Sequence, residues 1–176
     1  SLSERGQHHL ARRRPPYGRM IDDEPVQRPL GALDLDRAAR LHREAFVPLG
    51  ERGWTRQDIA GLLASPGTAG FLLEAKSGDV GMAICRVAAD EAELLTVAVS
   101  PRHRRRGAGR RLLAAVIEQV HLAGARTLFL EVGVDNPAAR ALYDSLGFVV
   151  AGRRAGYYAR VDGPPADAVI MRLTLN

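Results

Sequence analysis

The sequence predicts a single α/β domain: a mixed β-sheet with helices on both faces. Three observations predict it. Two apolar runs, Gly70–Ala75 and Val80–Ala88, flank the turn Lys76-Ser77-Gly78-Asp79, the pattern of an antiparallel hairpin. A third run, Ala92–Val99, passes through an Arg/Gly loop into an amphipathic helix and on to the strand Thr127–Val132, a strand–helix–strand crossing. The chain has 176 residues, 46% of them hydrophobic, enough to bury one core without disulfides or metals.

Taken in order, residues 1–26 are polar, rich in Arg and Pro, and lack a periodic apolar pattern. They are expected to be a disordered extension, natural or added. The folded domain is expected over 27–176. Asp34–Phe46 places Leu35, Ala38, Ala39, Leu41, His42 and Phe46 near one side of a helix. Thr55 is positioned to cap a second helix running to Ser65, with Ile59, Leu62 and Leu63 inward. After the hairpin and the Ala92–Val99 strand, Gly107–Ala123 reads as a helix that Gly124 stops. The strand Thr127–Val132 is followed by a short helix, Pro137–Leu146, with Asn136 as N-cap and Pro137 in its first turn. Gly147 ends that helix, and Phe148–Gly152 and Ala168–Leu175 complete the sheet.

Charge is concentrated locally. The formal net charge is +5, yet residues 1–19 hold five Arg against one Glu, and Arg102–Arg111 holds six Arg and no acid. The rest of the chain is therefore net acidic, which favours anion capture at a site over a general nucleic-acid coat. With one cysteine, Cys85, inside an apolar run, an intrachain disulfide is impossible. A buried structural thiol in a reducing, cytoplasmic setting is the expectation. No apolar run approaches the ~20 residues that span a bilayer, so no membrane partner is expected. The five His residues show no metal-ligand spacing, and no metal is expected.

The segment Val99-Ser100-Pro101-Arg102-His103-Arg104-Arg105-Arg106-Gly107-Ala108-Gly109-Arg110-Arg111 carries the chemistry. A loop entering a helix N-terminus aims unpaired N–H groups and the positive end of the helix dipole at one place. Gly107 and Gly109 lack a Cβ, so a bulky anion can approach the backbone. The ordinary alternative for an Arg-rich turn is a solvated loop or a nucleic-acid contact. The loop lacks the Lys-Ser/Thr of a P-loop, and Leu112 stands where a dinucleotide fingerprint has its third glycine. Downstream, Glu131 lies in an apolar strand on the face of Phe129 and Gly133, opposite Leu128, Leu130 and Val132. Alone it could be a carboxylate on a solvated face, and Tyr143 could be ordinary helix packing.

Together the elements are more specific. Arg104-x-x-Gly107-x-Gly109, Leu130-Glu131-Val132, Asn136, Ala141-Leu142-Tyr143 and Leu146-Gly147-Phe148 resemble, in order and spacing, the GNAT superfamily of acetyl-CoA-dependent N-acetyltransferases. Within it, Arg153-Arg154, Tyr157-Tyr158 and Asp162-Gly163 make the chain most similar to the ribosomal-protein-alanine N-acetyltransferase (RimI-like) family. The chain departs from that family in having Gly133, where close relatives carry Arg, and one extra residue before Tyr157.

The resemblance implies a central, mostly antiparallel sheet with a splayed parallel strand pair. It implies that Arg104, Arg105, Arg106, Gly107, Ala108, Gly109 and Arg110 hold the pyrophosphate of acetyl-CoA. It implies that Val97, Ala98 and Val99 pair their backbone with the pantetheine, and that Asn136 touches the cofactor. It maps a general base onto Glu131 and a general acid onto Tyr143, roles that typically contribute ~10²–10⁴-fold each. The acceptor implied is the N-terminal amine, alanine by the family's pattern, of a small-subunit ribosomal protein, attacking the thioester directly. The enzyme is expected to be a monomer or weak dimer that needs no nucleic acid. A small-molecule amine or a lysine side chain is the alternative acceptor. A non-catalytic basic RNA-binding module is the alternative of another class, and it predicts steeply salt-dependent RNA binding.

Overall fold

The computed structural model describes residues 23–176. Most of the expected 1–26 extension lies outside the described residues. Its last residues belong to the fold: Asp23 accepts hydrogen bonds from the Ser77 amide and hydroxyl, and strand β1, Val26–Pro29, already pairs in the sheet. A four-residue strand ending in Pro on a sheet edge carries no alternating apolar signal, so the sequence did not reveal it.

The remaining strands are β2 (Thr68–Ala75), β3 (Gly78–Ala88), β4 (Glu91–Val99), β5 (Thr127–Gly133), β6 (Val149–Tyr158) and β7 (Ala166–Thr174). Their spatial order is β1-β2-β3-β4-β5-β7-β6, and every pair is antiparallel except β4–β5. The helices are α1 (Leu35–Phe46), α2 (Arg56–Ala64), α3 (Ala108–Leu122) and α4 (Pro137–Ser145). Thr55 and Asp58 close a capping box at the start of α2, satisfying amides that the helix itself leaves unpaired. Gly124 (φ +95°) and Gly147 (φ +93°) terminate α3 and α4 in the left-handed conformation that a side chain disfavours.

The sheet separates two cores. On one face α3 lays Leu112, Leu113, Val116 and Val120 against Leu73, Val80, Leu128 and Leu130, with Tyr143 and Phe148 joining from the α4 end. On the other, α1 and α2 pack Leu35, Ala38, Leu41 and Ile59 on Leu72, Met82 and Ile84. Cys85 is buried and its thiol is pushed up to about 11 by desolvation, an unreactive packing group.

One irregularity in β4 creates the site. Cys85 lies opposite Leu94 and Ile84 opposite Thr96, so Leu95 is an extra residue and the strand changes face there. Ala92 and Leu94 belong to the α3 core, whereas Ala98 belongs to the α1–α2 core. Pairing of β4 with β5 covers only Glu91–Glu93 against Thr127–Phe129. Beyond that the two strands part.

Strand β6 extends well past the expected Phe148–Gly152. Its added residues, including Arg153, Arg154 and Gly156, lie exposed on the outer edge, and the register with β7 shifts between Val150 and Gly152 and again between Arg154 and Tyr158. An edge strand that buries neither face has no hydrophobic period to read.

Candidate active site

The divergence of β4 and β5 opens a cavity of about 1230 Å³ that runs from the start of α3 to the β6–β7 loop. Of the residues singled out from the sequence, Val97, Val99, Arg104, Arg105, Gly107, Ala108, Gly109, Arg110, Glu131, Asn136 and Tyr143 line it. Ala98 and Arg106 do not. The Ala98 side chain is packed in the α1–α2 core.

Backbone alternation explains the split within β4. Ser100 N–H donates to Val80 O, and Ala98 lies opposite Met82, so the main-chain groups of Ala98 face β3. Those of Val97 and Val99 face the opening, where β5 no longer meets them. They are free to pair with an extended amide-bearing ligand, as an added strand would.

At the other wall, Arg105 (φ +63°) and Gly107 (φ +76°) both take the left-handed conformation, folding the loop so that successive amides converge. The first backbone bond of α3 runs from Arg111 N–H to Gly107 O. The amides of Ala108, Gly109 and Arg110 therefore have no helical acceptor, and all three residues line the cavity. No acidic residue occupies the first turn to compete for them. Such a turn has the geometry to cradle an anion.

The two glycines do different work. A Cβ on Gly107 would meet nothing within 4 Å, so glycine is required there by φ alone. A Cβ on Gly109 would stand 3.0 Å from Leu142 Cδ2, so its absence lets α3 approach α4. The Arg110 guanidinium donates to Ser145 Oγ at 2.6 Å, tying the start of α3 to the end of α4. Asn136 caps α4, its Oδ1 accepting from Ala139 N–H at 3.3 Å, and the residue lines the cavity.

Toward the far end, Glu131 stands on β5 with its side chain 18% exposed, reached by Arg154 Nε at 3.4 Å. The alternation read from the sequence holds: Leu128, Leu130 and Val132 are in the core and Glu131 is on the cavity side. Tyr143, Tyr157 and Tyr158 converge on the same space. Burial pushes the Tyr143 hydroxyl well above the usual phenol range, and its ring meets Phe148 edge-on at 5.7 Å. Burial, then the Glu131 charge, push Tyr157 and Tyr158 upward as well. All three phenols stay protonated near neutrality, so each has a proton to donate.

Several lining residues were not singled out as site residues. His42, Phe46 and Trp54 form an aromatic wall, with His42 stacked on Trp54 at 4.4 Å and its Nδ1 accepting the Trp54 N–H at 2.9 Å. Desolvation lowers His42 to about 4, so it is neutral at physiological pH. Glu51, Asp135 and Arg160 form an ion cluster at the mouth. Burial raises the Glu51 carboxyl, an effect partly offset by Arg160. Glu51, Asp135 and Arg160 meet only through tertiary contacts among the α1–α2 loop, the turn after β5 and the β6–β7 loop. Among the described residues no group of three or more His, Cys, Asp or Glu could hold a metal, and no helix is long and apolar enough to cross a membrane.

A cavity with unpaired helix-start amides at one end, free strand amides along its wall and a carboxylate at the other suits transfer of an acyl group from a coenzyme A thioester. Comparison with known proteins agrees: the chain belongs to the acetyltransferase (GNAT) family, whose model matches residues 35–148. It is an acetyl-CoA-dependent N-acetyltransferase.

Among its relatives is the N-alpha-acetyltransferase RimI of Mycobacterium tuberculosis, 40% identical over 160 residues that cover 86% of this chain and 94% of that protein. The [ribosomal protein bS18]-alanine N-acetyltransferase of Escherichia coli is 43% identical over 106 residues, 60% of this chain and 71% of the relative. The crystal structure of the ribosomal-protein-S18-alanine N-acetyltransferase from Escherichia coli superposes with a TM-score of 0.77 at 35% identity, covering 86% of this chain and 94% of that one.

Proposed function

We propose that the enzyme acetylates the N-terminal α-amine of a ribosomal protein, with Glu131 as general base and Tyr143 as proton donor. The observation that carries the reading is the single cavity joining the amides of Ala108, Gly109 and Arg110 to Glu131. Similarity to RimI proteins over 86% of the chain supports the acceptor class.

In this reading the cradle amides and the Arg loop hold the diphosphate, and the Asn136 amide steadies the ligand beside it. The N–H groups of Val97 and Val99 face the thioester arm, and one of them polarises the acetyl carbonyl. A preorganised donor of that kind is worth roughly 3–4 kcal/mol in the transition state. Glu131 accepts the proton that the acceptor ammonium must lose before its nitrogen can attack. An N-terminal amine, with a pKa of roughly 7.7–8.0, yields that proton to a carboxylate far more readily than lysine at about 10.4. As the C–N bond forms and the C–S bond breaks, the Tyr143 hydroxyl donates to the departing sulfur. No side chain need form a covalent intermediate.

The test is acetyl transfer to an Ala-initiated ribosomal peptide, with the same peptide blocked at its N-terminus but bearing lysine as comparison. Transfer to the free N-terminus alone supports the reading. Equal or exclusive modification of lysine overturns it.

A further inference from the structure

The acceptor end is walled by three segments distant in sequence: the loop before α2, the turn after β5, and the β6–β7 loop. One side chain touches all three. Arg160 is only 9% exposed at its side chain, and it donates from Nε and Nη2 to the two oxygens of Asp135 at 2.9 and 2.7 Å. From Nη1 it reaches Glu51 Oε1 at 3.3 Å, while its guanidinium lies over the Tyr158 ring, 5.3 Å from the centroid. Next to it, Val161 N–H donates to Gly50 O at 2.9 Å, a main-chain tie between the same two loops.

The Asp135 carboxylate and the guanidinium paired with it sit where a side chain of residue 133 would be. A Cβ on Gly133 would stand 2.6 Å from Asp135 Oδ1 and 3.0 Å from Arg160 Nη2. The φ of Gly133 is not left-handed, so the backbone does not require glycine there. Space does. A side chain at residue 133 would compete for one volume with the Arg160–Asp135 pair, and in this chain the ion pair fills it.

We propose that Arg160 is a positioning residue for the acceptor. Its guanidinium, seated over Gly133 beside the carboxylate-bearing strand β5, clamps the Glu51 loop, the Asp135 turn and the β6–β7 loop into the one arrangement that receives the amine. Because the ligand cradle at α3 shares none of these contacts, the clamp acts on the acceptor and not on acetyl-CoA. The inference rests on the acceptor end being the one assigned above.

The experiment compares wild type, Arg160→Ala, Arg160→Lys, Gly133→Arg and the double variant Gly133→Arg/Arg160→Ala. Acceptor KM, acetyl-CoA affinity by calorimetry, and hydrogen exchange of segments 47–53 and 159–163 are measured for each. Arg160→Ala is expected to raise acceptor KM about tenfold or more, because misplacing a binding wall by an ångström is costly. Exchange in both segments should rise while acetyl-CoA affinity stays within about twofold, the control for folding. Arg160→Lys, which keeps a charge but not the fork, should fall between the two. Gly133→Arg should by itself displace Arg160 and mimic Arg160→Ala. In the double variant the vacated volume accepts the new guanidinium, so its acceptor KM should be lower than that of either single variant.

Unchanged acceptor KM and exchange in Arg160→Ala, or a double variant as impaired as the two single effects combined, overturns the proposal. If wild type fails to acetylate the Ala-initiated peptide, the acceptor assignment fails, and the exchange comparison still decides whether Arg160 is the clamp.

Discussion

Glu131 Oε1 lies 3.4 Å from Arg154 Nε, a long and half-exposed ion pair at the edge of the cavity. Pairs of this kind contribute little to stability, since solvent screens them and two side chains must be held in place. The contact therefore leaves the carboxylate available for chemistry. Glu131→Gln is expected to lower kcat by about 10²–10⁴-fold with acetyl-CoA affinity retained. Arg154→Ala should shift stability by no more than about 1 kcal/mol. Kinetics and thermal unfolding on the two variants check this.

Tyr143 offers the complementary test. The residue lines the cavity, while its ring is packed against Phe148. Tyr143→Phe keeps the packing and removes only the donor. Its Tm should match wild type, with kcat reduced by about 10²-fold or more. A matching loss of Tm would mean that the hydroxyl is structural.

The cradle makes a prediction about glycine. At Gly107 the φ of +76° costs any other residue roughly 1–2 kcal/mol. Gly107→Ala should lower Tm and weaken acetyl-CoA binding, because the amides turn with the loop. Gly109→Ala should act differently, since the new methyl presses on Leu142 Cδ2 and pushes α4. Calorimetric titration of the two variants, with Leu142→Val added to Gly109→Ala, separates conformational strain from packing; relief by Leu142→Val is expected only in the Gly109 case.

His42 predicts a pH effect on stability. Its native value of about 4 lies below the ordinary 6.5, so the unfolded chain binds the extra proton between those values. The stability linked to neutral His42 is complete above about 6.5 and falls with decreasing pH by up to about 1.4 kcal/mol per unit, down to about 4. His42→Asn retains an acceptor for the Trp54 amide without the titration. Unfolding measured between pH 4 and 7 should show a shallower acid decline in that variant.

Much of the site was legible before any coordinates, because it is local. The Arg loop and its glycines, the Asn136-Pro137 helix start, and the alternation that turns Glu131 away from Leu130 and Val132 are written in a few consecutive residues each. Hydrogen-bond geometry within one turn or one strand is a short-range matter, and spacing reports it. What spacing could not report were the edge strand β1 and the outer half of β6, which carry no apolar period, and the packing of Gly109 against Leu142. It also could not say that Ala98 faces β3 while its neighbours face the opening, since that depends on the bulge at Leu95 and on the register with β3.

By itself, then, the chain of amino acids determined the succession of core elements, the glycine-containing turn that opens α3 and the strand alternation that sets Glu131 apart from Leu130 and Val132. The tertiary structure alone decided how the acceptor end is built. Glu51, Asp135 and Arg160 are brought together from up to 109 positions apart, and Gly133 takes its meaning from a guanidinium delivered by another loop. Short-range backbone preferences are encoded residue by residue, whereas competition for one volume exists only once the loops have folded against each other.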